Sequence, residues 1–109
     1  MATYLDLKQR ALELRKLFMA QELRSHGKVW SRADLMRGFI ADVGALSKLS
    51  MAADGLRSID NFQEKLGHEF ADCLWSLIVL AEEYSVDLES EFDRLVSEIG
   101  AILAKSSKE

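Results

Sequence analysis

Apolar residues return at helical spacing along nearly the whole chain. Leu5, Leu7, Leu12, Leu14, Leu17, Phe18 and Leu23 outline a first helix over roughly residues 4 to 25, closed by the glycine of His26-Gly27-Lys28. Ser31 stands three residues before Asp34 and predicts the N-cap of a second helix, about 32 to 52, which Ala53-Asp54-Gly55 ends. Asp60 or Ser58 is the expected cap of a third helix running to about Tyr84. That helix is apolar nearly all round between Phe70 and Ala81, the pattern of a deeply buried element. After the turn Ser85-Val86-Asp87, Asp87 caps a fourth helix from Leu88 to about Lys105. Its apolar positions are Leu88, Phe92, Leu95, Val96, Ile99, Ile102 and Leu103, and the tail Ser106 to Glu109 is expected to fray. With no proline and six glycines, the chain lacks the turn chemistry of a sheet protein. The expected fold is all-α, an antiparallel bundle of about four helices forming a single domain over residues 1–109.

Length changes the picture in one respect. A 109-residue chain suits one core but buries a small share of its surface, so long helices are expected to finish burying their faces against another copy. The expected bundle is therefore completed by homo-oligomerisation. Fourteen basic against eighteen acidic residues leave a charge of −4 and no drive toward a nucleic acid polymer, although a metal ion would let a free nucleotide bind. The N-terminal residues mix charged and apolar types, unlike a signal peptide, and Cys73 to Ala81 is only about half a membrane span. No membrane partner and a cytoplasmic location are expected. The single Cys73 reads as core packing.

Two acids sit where helix packing does not explain them. Asp72 interrupts Phe70-Ala71-Asp72-Cys73-Leu74-Trp75, and Asp42 interrupts Phe39-Ile40-Ala41-Asp42-Val43-Gly44. An ionised carboxylate inside a bundle needs a cation, a metal or hydrogen bonds to offset its desolvation, and aspartate is a mediocre helix former. Glu69 lies three residues before Asp72, on the same helical face. Three hard oxygen donors from facing helices suit Mg²⁺, or Mn²⁺, with water completing an octahedron. The bland alternative is that these acids are solvated, or pair with Lys65, Lys48 or Arg57.

The residues also match a pattern. Gly38-Phe39-Ile40-Ala41-Asp42-Val43-Gly44-Ala45-Leu46 resembles the first motif, E-E-x-x-E, of the MazG-like nucleotide pyrophosphohydrolases. Glu69-Phe70-Ala71-Asp72-Cys73-Leu74 resembles their second, E-x-x-D-x-L, and 23 residues (46 to 68) separate the two stretches. Val86-Asp87-Leu88 is similar to the turn that opens the family's next helix. The resemblance implies Mg²⁺-dependent cleavage of a nucleoside triphosphate to monophosphate and pyrophosphate. It places Asp42, Glu69 and Asp72 at metal-ligand and catalytic positions, and it implies a homodimer or a dimer of dimers. Ala41 and Ala45 stand where the first motif has glutamates, and Leu95 and Ile99 where relatives often carry Lys and Asn. These departures keep a second expectation open, a non-catalytic nucleotide-binding or structural module on the same scaffold.

Further substrate-binding candidates are Trp30, Lys48 and Arg57. Trp30, before the second helix, and Trp75 each offer a face for a base, with core packing the alternative. Lys48 could meet a phosphate or neutralise Glu69 or Asp72, and Arg57 could reach phosphates from the loop after the second helix. His68 and His26 read as surface or helix-end residues.

Overall fold

The computed structural model describes residues 1–107. Four helices follow one another: α1, Tyr4–His26; α2, Arg32–Ala53; α3, Phe62–Glu83; and α4, Leu88–Ser106. Among the described residues there is no strand. The helix ends fall where side-chain chemistry places them. Thr3 and Asp6 form a reciprocal capping box on α1, Ser31 and Asp34 form another on α2, and Asp87 accepts from the Ser90 N–H to cap α4. The tail differs from expectation in that α4 runs on through Ser106; Lys108 and Glu109 lie outside the described residues.

The start of α3 departs from the reading that gave the cap to Asp60 or Ser58. Asn61 occupies the N-cap position in the left-handed region (φ 55°), and its side chain caps nothing. Asparagine visits that region at lower cost than most residues. The stop signals behave more simply. Gly55 (φ 78°) lets the Leu56 N–H reach back to the Met51 carbonyl at 2.8 Å, and Ser85 (φ 55°) allows the same closure from Val86 to Ala81.

Helices α2 and α3 form the main packed pair, and α1 lies against α3. Leu35, Val79 and Leu80 make the buried cluster, with Phe39 and Trp75 packed on it. As its sequence predicts, α3 contributes most to the interior, with Ser76, Ile78, Val79 and Leu80 buried. The Trp75 indole N–H donates to the Ala11 carbonyl at 3.1 Å, and Phe18 meets its ring edge-on at 5.5 Å, which ties α1 to α3. Helix α4 behaves differently from a fourth bundle member. None of its residues is buried, and Phe92, Leu95, Val96, Ile99, Ile102 and Leu103 are all exposed. The molecule is accordingly elongated, 60 × 39 × 30 Å, with a radius of gyration of 17.6 Å, against about 13 Å for a compact chain of this length. No helix of the described residues is long and apolar enough to cross a membrane.

Candidate metal centre and adjoining cavity

Asp42 comes from the middle of α2, and Glu69 and Asp72 come from the first half of α3, one turn apart on a common face. Packing of α2 on α3 brings the three together. One carboxylate oxygen from each lies within 4.8 Å of the others. All three are half-buried. Two have fixed partners: the Ser76 hydroxyl donates to Asp42 at 3.4 Å, and His68 Nε2 stands 3.3 Å from Asp72. The third is left over, because Glu69 Oε2 is shielded from solvent and has no hydrogen-bond partner among the described residues.

Electrostatics report the same crowding. Burial first, then repulsion from Asp72 and Asp42, pushes the Glu69 carboxyl above the ordinary range, with His68 pulling the other way. The Cys73 thiol is pushed up by burial and by the same three acids, so it is a poor nucleophile. A divalent ion fits this donor set. Bonds of about 2.1 Å keep the oxygens of an octahedral Mg²⁺ within about 4.2 Å of one another. Rotations of the three side chains would close the cluster on it, and a bound ion would offset the crowding of negative charge around Glu69.

Beside the cluster, a cavity of about 620 Å³ opens between α1, α2 and α3. Asp42, Asp72, His68 and Ser76 are among its lining residues. Phe18, Trp30 and Trp75 supply aromatic walls, and Arg15 and Glu22 also line it. Gly38 matters to this shape, since a Cβ there would stand 3.2 Å from the Trp30 ring. The absence of a side chain at Gly38 lets the indole lie close over α2.

Of the residues singled out from sequence, Asp42, Glu69 and Asp72 converge, and Trp30 lines the cavity that Asp42 and Asp72 border. Lys48 and Arg57 do not line it. Lys48 follows Asp42 by six residues, about 240° around the helix, and Arg57 sits beyond the end of α2. Among the described residues neither they nor Lys65 pairs with the cluster, so its charge is not neutralised in that way. Sequence reading missed four participants. His68–Asp72 has i,i+4 spacing, which was legible, and Ser76 lies one further turn along. Arg15 and Glu22, two turns apart on α1, gave no local signal of a cavity.

Fold and site together define an all-α protein carrying a three-carboxylate cluster, two members of which line an aromatic-walled cavity. Compared with protein-family models, with curated proteins and with solved structures, the chain matches none.

Proposed function

We propose that this protein is a Mg²⁺-dependent nucleoside triphosphate pyrophosphohydrolase of the MazG-like kind, working as a homodimer. The observation that carries the reading is the convergence of Asp42, Glu69 and Asp72 within 4.8 Å at the edge of an aromatic cavity. Asp42, Glu69 and Asp72 would hold the ion. When bound, it would neutralise phosphate oxygens and offset the charge that develops as the phosphate chain is cut. The rest of the task falls to the chain. The aromatic walls hold the base away from water, which directs the phosphates of the same molecule toward the carboxylates. Ser76 and His68 fix the orientation of Asp42 and Asp72. A carboxylate of the cluster takes the proton of the attacking water as the bond between the α-phosphorus and the bridging oxygen breaks and pyrophosphate leaves.

Exposed area supports the dimer. By area scaling a compact 12.3 kDa monomer exposes roughly 6100 Å², whereas this chain exposes 8342 Å². Removing that excess of about 2200 Å² from each of two copies gives a total within the range of obligate homodimers. Charge is complementary too. Five basic and three acidic residues make α1 net +2, and two basic and four acidic residues make α4 net −2. An apolar α4 of one copy thus suits the exposed leucines of the other copy's α1.

A pyrophosphate-release screen over standard and modified triphosphates with Mg²⁺ tests the reading. Turnover of some triphosphate, lost on chelation and in Asp72→Asn, is expected. Thermal unfolding adds a second readout. Mg²⁺ at a hundred times its dissociation constant should raise stability by about 2.7 kcal/mol in the wild type and leave Asp72→Asn unmoved. A second reading, a nucleotide-binding module without chemistry, draws on Ala41 and Ala45, which bring no oxygen to the cluster. It predicts nucleotide binding with no pyrophosphate released.

A further inference from the structure

Two indoles wall the cavity, and the chain holds them in different ways. Trp75 belongs to α3, and its ring N–H is tied to the Ala11 carbonyl at 3.1 Å. Trp30 belongs to the connection between α1 and α2 and is 45% exposed, so packing alone does not fix it. Its backbone does. The Trp30 N–H donates to Glu22 at 2.8 Å, and the Trp30 carbonyl accepts from Arg15 at 3.1 Å. Arg15 and Glu22 are themselves joined, one guanidinium nitrogen donating to both carboxylate oxygens at 3.2 and 3.1 Å. This strap is not what stability alone calls for. Arg15 is only 5% exposed, and its Nε has no partner among the described residues. Burying a charge carries a desolvation cost that pairing often fails to offset, and apolar residues in such places commonly serve stability as well.

We infer that Arg15 and Glu22 are positioning residues, which hold Trp30 by both of its backbone groups so that its indole is preset as a stacking face for a nucleobase. Trp30 and Trp75 both line the cavity, with Phe18. On the side of α2, the Trp30 ring lies so close to Gly38 that a Cβ there would stand 3.2 Å from it. The strap on α1 and the gap over Gly38 together give the indole one placement. The same stretch of α1 steadies the second indole, because Phe18, three residues after Arg15, meets the Trp75 ring edge-on at 5.5 Å. Stacking needs flat faces in contact over much of their area. A wall already in place spares the ligand the cost of ordering a loop residue, and the saving appears as affinity. Arg15 and Glu22 act through Trp30 and need no contact with the ligand.

This inference rests on the nucleotide reading of the same cavity, and its test separates the two. Arg15→Met combined with Glu22→Leu replaces the pair by apolar residues of similar volume, a change that buried ion pairs commonly tolerate; circular dichroism checks its helicity. Binding to the full-length protein is measured by calorimetry with Mg²⁺. The probes are the α,β-methylene analogues of ATP, GTP, CTP and UTP, which resist cleavage, and tripolyphosphate, which has the phosphate chain and no base. The tightest-binding analogue should bind the double variant about three- to tenfold more weakly than the wild type. Tripolyphosphate should bind both proteins alike, a separation that general loosening of the fold would not produce. For any triphosphate that is turned over, KM should rise by the same factor while kcat stays within about twofold. If the double variant does not fold, time-resolved anisotropy of Trp75→Phe, which leaves Trp30 as the one tryptophan, decides. The indole should tumble with the whole molecule before any nucleotide is added. Fast local motion that a nucleotide arrests overturns the inference. So does a loss of less than about threefold, or an equal loss for tripolyphosphate, and each leaves triphosphate hydrolysis intact. Failure of every analogue to bind overturns both readings. Strap-dependent binding with no turnover of any triphosphate removes the hydrolytic reading and keeps this one.

Discussion

At the scale of single residues, the site depends on small side chains as much as on charged ones. Gly38 is the plainest case. It lies inside α2, where glycine is a poor helix former, and its open side accommodates the Trp30 ring. Gly38→Ala should therefore stabilise the helix by up to about 1 kcal/mol, because the half-exposed ring can yield the few tenths of an ångström required. The same displacement should move the tryptophan emission and weaken nucleotide binding several-fold. Denaturant melts and fluorescence titration of the one variant check both effects. Asp42 and Asp72 were legible as misplaced acids from their apolar neighbours, and Glu69 from its spacing to Asp72. Their company was not: His68 and Ser76 look ordinary in sequence, and Arg15 becomes significant only when folding sets it between Glu22 and Trp30.

Among the helices, start signals proved more readable than the interfaces between them. The capping box at the head of α2 illustrates the physics and offers a pH test. The Ser31 backbone N–H, then the Arg37 guanidinium and the Ser31 hydroxyl, hold Asp34 down to about 2. A carboxyl with a lowered folded pKa contributes stability above its unfolded value of 3.8, and that contribution is lost as pH falls through about 2. Asp34→Asn should be less stable than the wild type near neutral pH, and the gap should close between about pH 4 and pH 2. Chemical denaturation at several pH values measures it; a gap independent of pH would contradict the assignment. The start of α3 shows the limit of local signals. Asp60 and Ser58 both carry capping side chains, yet the chain turns at Asn61 through the left-handed region with no side-chain cap.

For the whole molecule, α4 is the element left without a partner. Its seam of Phe92, Leu95, Val96, Ile99, Ile102 and Leu103 meets solvent, and apolar surface of that extent on a small protein marks an association site. In solution the chain should run at twice its 12.3 kDa mass in light scattering, with a melting temperature that rises with concentration. Replacing Phe92 and Ile99 by Asp should give a monomer whose α1–α3 core remains helical, since both residues are exposed and outside the buried cluster. A wild type that stays monomeric at micromolar concentration would count against the dimer.

The amino-acid pattern by itself determined the helices, most of their ends and the oddity of two acids among apolar neighbours. Those properties are local: helical periodicity, capping hydrogen bonds and the mismatch of a charge with its flanks act within a turn or two of the chain. Tertiary packing decided the rest. It set Asp42 of α2 against Glu69 and Asp72 of α3, folded Arg15 and Glu22 of α1 under Trp30, and left α4 outside the core. Distances between residues far apart in the chain depend on how helix faces mesh, and no short stretch of sequence encodes that.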